Sequence, residues 1–294
     1  MKMTKTLLLD RLIEKDGLLG LLAVDNPFSY NPLIDGMDLL LLAVRNNLPY
    51  DQGIEHVTSD GQRIQIRTIA PDTLEYWLTG NENRNIIPWL LRGEILFEQG
   101  EYMSHMKQRL AVFPEELRKQ KKLAEFSAFL RTYLQAKQNL QDGNILDAHS
   151  CILNSLHHWA HISLIEAGVH PEVTVWAQIR KINPGIYKLY DELTVSPETL
   201  EQRVHLVLLA CEFQVMSNMK SCCTLLLEVM EGREEPWNVM DLSEHPGLQA
   251  LKLDYALLLQ KLVKRGLIRE VAVIPESGDT DSIELMYAPL AQEA

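Results

Sequence analysis

The chain of 294 residues lacks the features that mark secreted, membrane-spanning and fibrous proteins. Its four cysteines include no CxxC pair, which argues against a disulfide framework or a zinc site. Its longest apolar runs, such as residues 39–44, are far shorter than the ~20 residues that a membrane helix needs. Residues 1–9 show no long apolar region followed by a small-residue cleavage site. We therefore expect a cytoplasmic protein without a membrane partner.

Basic residues are also in short supply. The 28 Lys and Arg against 40 Asp and Glu give a net charge of −12, which opposes non-specific attraction to nucleic acid and to anionic membranes. Any phosphate-bearing ligand must therefore be held by a local group of cations. The 15 Gly and 13 Pro are too few for a fibrous or low-complexity chain, and the length is typical of two or three globular domains.

Strand and helix patterns alternate in the first 113 residues. Continuous apolar runs bounded by turn residues predict buried strands, and two further apolar segments around Ser59-Asp60-Gly61 predict a hairpin. This part of the chain is thus predicted to be α+β, with three or four strands in one sheet. The predicted strands are 18–24, 39–44, 54–57 and 64–69, and the predicted helices are 5–14 and 71–78.

The rest of the chain has two different patterns. Residues 114–233 show long helical periodicity interrupted by glycines, which predicts an α-helical bundle. In residues 234–294, a helix predicted over 248–264 precedes two strands around a polar loop, the outline of a winged helix. The predicted fold class is therefore α+β, with a mixed-sheet domain (1–113), a helical bundle domain (114–233) and a small winged-helix-like domain (234–294).

One tract points to a family. It extends from His157 to Leu193 and reads HHWAHISLIEAGVHPEVTVWAQIRKINPGIYKLYDEL. With it, nearly the full chain resembles the YgxA-type nucleotidyltransferase-like proteins of bacilli, whose first domain is similar to polymerase-β-type nucleotidyltransferases. The resemblance implies a nucleotidyltransferase-like domain, a helical domain and a C-terminal helix-turn-helix-like domain.

The resemblance also implies where a metal site would lie. In this superfamily three carboxylates on neighbouring strands hold two Mg²⁺ ions, which bridge the nucleotide phosphates and activate the acceptor hydroxyl. The family's Gly-Ser corresponds here to Val24-Asp25, and its Asp-x-Asp corresponds to Gly36-Met37-Asp38. Gln65 stands at the place of the third acid. Two of the three expected metal ligands are thus replaced, by Gly36 and Gln65.

Asp35 offers a substitute for a missing acid. It lies three residues before Asp38, and a bent strand entrance would bring both carboxylates to one Mg²⁺ ion with Asp25 nearby. The alternative is that Asp35-Gly36 is only a turn and that Asp38 caps the strand. Asp35 and Asp38 are therefore our candidate catalytic and metal-binding residues.

Basic residues flank the position of the missing third acid. Arg63 and Arg67 share a strand face with Gln65, because alternate residues of a strand project to the same side. Such a face suits direct binding of an anion, and it also resembles an ordinary solvated strand face. Asp25, Arg63 and Arg67 are candidate contacts to a nucleoside triphosphate, and Mg²⁺ is the candidate metal.

Histidines in the helical region offer a second metal hypothesis. His157 and His161 are one helical turn apart, a spacing at which two imidazoles can share an ion. Nothing in the sequence supplies the third ligand that a catalytic zinc needs. A structural role for these histidines is therefore favoured.

The winged-helix outline points to DNA, but the segment is acidic. Five basic and eight acidic residues lie between residues 236 and 290, a poor balance for binding driven by phosphate contacts. Lys261, Lys264, Arg265 and Arg269 cluster at the end of the predicted helix, where cations also complement the helix dipole. A nucleic acid and a protein both remain candidate partners of this domain.

The sequence leaves three functions open. The leading hypothesis is a nucleotidyltransferase-like protein that binds nucleotide or Mg²⁺ around Asp35 and Asp38 without efficient transfer. The second is an active enzyme that uses these residues to move a nucleoside monophosphate onto a small molecule, RNA or protein. The third is a regulator that binds DNA or protein through the winged helix.

Overall fold

The computed structural model describes residues 10–13, 16–26, 34–49, 52–59, 61–79, 83, 85–172, 174–273 and 283–290. The chain divides into two compact units, Met1–Pro114 and Glu115–Ala294. The predicted helix at 5–14 lies outside the described residues except for residues 10–13, which are helical, and the predicted turn residue Asp60 also lies outside them. None of the described helices is long and apolar enough to cross a membrane.

The described part of the first unit contains one five-stranded sheet, three longer helices and the short helical segment 10–13. Four of its strands overlap the predicted ones, and the last strand along the chain was not predicted. The strands are β1 (Leu18–Asp25), β2 (Leu39–Arg45), β3 (Gln52–Ser59), β4 (Gln62–Ile69) and β5 (Glu94–Glu98), and the helices are α1 (Pro71–Thr79), α2 (Ile86–Arg92) and α3 (Tyr102–Val112).

The strand order in the sheet is β3-β4-β2-β1-β5. Strands β2 and β4 are parallel, and all other neighbours are antiparallel. Asp25 pairs with Leu39, and Leu39 pairs with Ile64 on its other side. The end of β1 therefore lies beside the beginnings of β2 and β4, so three neighbouring strands present their terminal residues at one end of the sheet.

Burial explains the continuous apolar runs of the central strands. All seven residues of β2 are buried, as expected for a strand that is covered on both faces. Gly20 in β1 lets α3 approach closely, because a Cβ atom built there would lie 2.3 Å from Cγ of Met103. The central strands are thus fixed by packing.

The described part of the second unit contains eight helices and one hairpin. Two long helices come first, and the hairpin comes last. The elements are α4 (Glu115–Gln141), α5 (Ile145–Glu166), α6 (Val175–Ile182), α7 (Pro184–Val195), α8 (Leu200–Cys222), α9 (Thr224–Glu231), α10 (Val239–Glu244), α11 (Tyr255–Lys264), β6 (Ile268–Val273) and β7 (Glu284–Pro289).

The predicted helix over 248–264 was wrong in its first half. Residues 246–250 form turns, and α11 begins only at Tyr255. Asp254 caps this helix, because its side chain accepts a hydrogen bond from Leu257 N–H at 3.3 Å. The second half of the prediction, with Gly266 after the helix and a hairpin beyond it, agrees with the structure.

The helical bundle and the winged helix share one hydrophobic core. Phe126 and Leu130 of α4 belong to the same buried cluster as Leu258 and Leu262 of α11 and Ile268 of β6. The predicted division at residue 233 therefore follows a change of element type and does not coincide with a gap in the core. The division into three domains stays a prediction.

Candidate functional site

The candidate residues of the first unit lie together at the end of the sheet where β1 stops. Asp25 is the last residue of β1, and Asp38 directly precedes β2. The backbone N–H of Asn26 donates to Asp38 O at 3.1 Å, and the N–H of Asp38 donates to Arg63 O at 2.9 Å. We call Asp25, Asp35, Asp38, Arg63, Gln65 and Arg67 the sheet-end site.

A backbone hydrogen bond and an ion pair hold Asp38 against β4. Its Oδ2 accepts the backbone N–H of Arg63 at 2.7 Å and lies 3.8 Å from Arg63 Nε. The Arg63 side chain also donates from Nη2 to Gly36 O at 3.0 Å. The Asp38 carboxylate thus closes the junction between β2 and β4, as a strand-entry cap does, while its side chain is still 42% exposed.

Asp35 lies in a tight turn and pairs with an arginine. Asp35 and Gly36 have φ values of 53° and 74°, so the turn bends the chain through the left-handed region. Asp35 Oδ2 lies 2.6 Å from Arg67 Nη2 and 3.4 Å from Gln65 Nε2. The turn that the sequence predicted is present, and it directs the Asp35 carboxylate to β4.

Gln65 connects the polar side chains of the site. It is buried, and its Oε1 accepts from Arg67 Nε at 2.8 Å while its Nε2 donates to His56 Nε2 at 3.1 Å. The Arg67 guanidinium also lies over the Trp89 ring, 5.1 Å from its centroid. His56 and Trp89 were missed by sequence reasoning. The cross-strand pairing of His56 with Gln65 would have indicated His56 once the β3–β4 register was known.

The described side chains do not fit a two-metal centre. One oxygen of Asp35 is bound by the Arg67 guanidinium, and one oxygen of Asp38 by the Arg63 backbone with the Arg63 guanidinium nearby. The place of the third acid holds Gln65, whose amide donates hydrogen bonds. Within the described ranges, no group of three or more His, Cys, Asp and Glu side chains is placed to hold a metal ion. Arg63 and Arg67, which pair with Asp38 and Asp35, are the side chains of the site that could instead donate hydrogen bonds to an anion.

The histidines of the second unit make a different arrangement from the predicted pair. His158 donates from Nδ1 to Glu125 Oε2 at 2.7 Å, and His161 donates from Nδ1 to Glu125 Oε1. The rings of His157 and His161 are also close, with centroids 4.5 Å apart. A buried carboxylate on α4 thus orients two imidazoles of α5, a contact between helices that spacing along one helix does not reveal.

The basic cluster of the winged helix splits into two groups. Arg269 lies exposed on β6, and its Nε donates to Pro289 O across the hairpin at 3.3 Å. Lys261, Lys264 and Arg265 instead line a cleft of about 230 Å³ together with residues of α4 and α8. Arg269, Lys264 and Arg265 are all exposed, but Arg269 alone of the three lies on the hairpin.

Three family profiles match successive parts of the chain. Residues 1–118 match the family described as nucleotidyltransferase-like, residues 119–218 the YgxA-like substrate binding domain, and residues 224–278 a helix-turn-helix domain. Together with the mixed sheet, they define a nucleotidyltransferase-like protein with a C-terminal helix-turn-helix domain.

Relatives narrow this class to one family. YgxA of Bacillus subtilis (strain 168), described as an uncharacterized protein, is 32% identical over 250 residues, which are 85% of each chain. The crystal structure of a nucleotidyltransferase-like protein from Exiguobacterium sibiricum 255-15 at 1.90 Å resolution matches with a TM-score of 0.86 and 32% identity over 98% of each chain. The chain belongs to the YgxA family of nucleotidyltransferase-like proteins. The resemblance and the predicted fold class are confirmed.

Proposed function

We propose that the sheet-end site binds a nucleoside triphosphate and that the protein transfers its nucleotide inefficiently or not at all. The observation that carries the proposal is the replacement of the third acid by the Gln65–Arg67 pair, with Arg63 beside it. Arginine guanidinium groups present several donors in a geometry that matches phosphate oxygens. Phosphate oxygens would compete with Asp35 for Arg67, whose side chain is 17% exposed.

Magnesium has a reduced role in this proposal. Two-metal transfer chemistry needs a fuller carboxylate set than the described residues offer. One Mg²⁺ ion bound together with the nucleotide needs only one or two protein carboxylates. Asp38 and Asp35 are the candidates for that contact, with Asp25 on the neighbouring strand. The competing hypothesis, an active nucleotidyltransferase, requires the same aspartates to support catalysis.

Thermal unfolding with ATP, GTP, CTP or UTP, each with and without Mg²⁺, tests the proposal. A ligand at 100 times its Kd stabilises the native state by about 2.7 kcal/mol. We expect at least one nucleotide to raise the melting temperature of the wild type. The shift should be lost in the double variant Arg63→Met/Arg67→Met and kept in Arg11→Met, which removes an exposed ion pair with Glu55.

Two outcomes would count against nucleotide binding at this site. One is the absence of a shift with all four nucleotides, and the other is an equal shift in the double arginine variant. Release of pyrophosphate in the presence of Mg²⁺, lost in Asp38→Asn, would instead support the active enzyme. Loss of the Mg²⁺-dependent part of the shift in Asp38→Asn, without any product, would support binding alone.

The helix-turn-helix match favours nucleic-acid binding as a second candidate function, with a protein as the other candidate partner. Arg269 is exposed on the hairpin, and a wing contact to phosphate would weaken as salt rises. Retention of a mixed-sequence DNA duplex at low salt, reduced in Arg269→Met, would support this function. Equal retention of the duplex by the variant would count against a role for the wing.

A further inference from the structure

Four cations surround a cleft between the helical bundle and the winged helix. The cleft has a volume of about 230 Å³, and its charged lining residues are Lys137 of α4, Glu212 of α8, Lys261 and Lys264 of α11, and Arg265 directly after α11. We call it the cation cleft. Its lining carries a clear positive excess in a chain whose net charge is −12.

The positive charge of the cation cleft is poorly compensated. Glu212 Oε1 lies 3.3 Å from Lys137 Nζ. No ion pair joins the side chains of Lys261, Lys264 or Arg265 to a carboxylate within the described part of the chain. Burial lowers the pKa of Lys261, and repulsion from Lys264, Lys137 and Arg265 lowers it further. Attraction to Glu212 offsets part of this decrease. An anion in the cleft would relieve this repulsion.

A second, more apolar cavity of about 410 Å³ adjoins the cation cleft. Both are lined by Tyr133, Lys137 and Glu212, and the second also by Leu140, Leu208 and Leu209. Pockets for small organic ligands usually have volumes of roughly 300–1,000 Å³ and combine apolar walls with a few polar anchors. The two cavities together have this character.

We propose that the cation cleft binds the phosphate or carboxylate group of a small organic ligand whose apolar part lies along Leu140 and Leu208. The cations line a cleft between α4, α8 and α11, and Lys264 and Arg265 are exposed, so a small anion can reach them from the solvent. The ligand would contact the bundle and the C-terminal end of α11 together. Its binding would therefore stabilise their association.

Calorimetric titration of the full chain with phenyl phosphate and with benzoate tests this site. Both probes carry an anionic group on an apolar body, and they distinguish a preference for phosphate from one for carboxylate. The titrations use the Arg63→Met/Arg67→Met background, so that binding at the sheet-end site cannot contribute. We expect one saturable site for at least one probe.

Two matched variants locate the binding. Lys261→Met/Lys264→Met should weaken binding of the probe by about tenfold or more, because both lysines lose a charge-assisted contact to it. Lys181→Met/Lys188→Met removes the same charge from exposed positions of the same unit and should change the affinity less than about twofold. Because Lys261 and Lys264 repel each other, their replacement should leave the melting temperature unchanged or raised, which verifies folding.

Three results would overturn the proposal. The first is the absence of saturable binding by either probe, and the second is equal affinity in the two lysine variants. The third is salt-dependent binding of a DNA duplex that is lost in Lys261→Met/Lys264→Met and that neither probe displaces. That result would assign these lysines to a nucleic-acid surface.

Discussion

Lys121 and Glu125 are buried charges one helical turn apart on α4. Their surroundings favour the charged form of Glu125 and disfavour the charged form of Lys121. Burial raises the pKa of Glu125, but attraction to His161 and hydrogen bonds from His158 and His161 outweigh burial and hold the pKa below its ordinary range. Burial lowers the pKa of Lys121 to about 8, and Glu125 offsets only part of this effect. The charged form of Lys121 therefore costs stability at neutral pH.

Replacing Lys121 by methionine should stabilise the protein. A shift of one pKa unit corresponds to about 1.4 kcal/mol, so a decrease from 10.5 to about 8 corresponds to a gain on the order of 3 kcal/mol. Since the unfolded state binds more protons between pH 8 and 10.5, the wild type gains stability as pH rises through this range. The advantage of Lys121→Met should therefore be complete below pH 8 and should shrink above it.

Urea denaturation of both proteins between pH 6 and pH 10 measures this advantage. Lys181→Met, at an exposed position, is the control and should change the free energy of unfolding by less than about 0.5 kcal/mol at every pH. If Lys121→Met were destabilising at pH 7, the contact with Glu125 would outweigh the cost of burying the ammonium group.

Patterns within one element indicated more contacts in the sheet-end site than in the polar cluster of the helices. The alternation of Arg63, Gln65 and Arg67 needs only one strand, and the structure joins Gln65 and Arg67 by a hydrogen bond. The i, i+4 spacing of His157 and His161 agrees with the contact between their rings, but it gave no sign of Glu125, which lies on another helix and accepts hydrogen bonds from His158 and His161. Partners that come from a different element cannot be read from spacing within one element.

At the scale of elements, Asp254 fixes where α11 begins. Its carboxylate caps the helix through Leu257 N–H and lies 2.9 Å from Arg131 Nη2, while its own N–H donates to Ser127 Oγ at 2.9 Å. The cap thus also joins α11 to α4. Asp254 interrupts an otherwise apolar helical pattern. The helix that was predicted to begin at residue 248 therefore begins seven residues later, at Tyr255.

Substitutions of Asp254 separate the cap from the ion pair. Asp254→Ala should destabilise the protein by about 1–2 kcal/mol, since the loss of a cap typically costs about 1 kcal/mol and the partly exposed ion pair adds up to about 1 kcal/mol. Asp254→Asn keeps a capping oxygen and should lose less than about 1 kcal/mol. Chemical denaturation measures both effects, and equal losses would show that the ion pair dominates.

Strand prediction succeeded for the apolar runs of β1 and β2 and for the hairpin of β3 and β4, and it missed β5. Strands β1 and β2 are long apolar runs at the centre of the sheet, so their sequences are compatible with few structures other than a buried strand. Strand β5 has five half-buried or exposed residues at the edge of the sheet, with glutamates at both ends. A short edge strand of this composition has no distinctive pattern, and only its pairing with β1 identifies it.

At the scale of the whole molecule, two small groups of cations lie in a chain that is acidic as a whole. Arg63 and Arg67 lie on one strand of the first unit, and the cation cleft lies in the second. Both groups are positively charged in a chain whose net charge of −12 repels polyanions. Selective binding of small anions at defined places suits this charge distribution better than a broad nucleic-acid surface does.

The shared core predicts how the second unit folds. The cluster that contains Phe126 and Leu130 also contains Leu258, Leu262 and Ile268, and the Asp254 contacts to Ser127 and Arg131 connect the same helices. A fragment of residues 234–294 would expose its side of this core to water. A fragment of residues 115–294 keeps both sides. We therefore expect the longer fragment to fold with one cooperative transition and the shorter one to be unfolded.

Circular dichroism and proton NMR of the two fragments measure this difference. The longer fragment should show helical content, dispersed methyl resonances and coincident unfolding by both probes, which indicates a single cooperative unit. The shorter fragment should show little helix at the same temperature, because burial of apolar area is the main driving force for folding such a small segment. A folded fragment of residues 234–294 would mean that the winged helix is an independent domain that merely rests on the bundle, and the stabilising effect proposed for an anion in the cation cleft would then act on docking between domains.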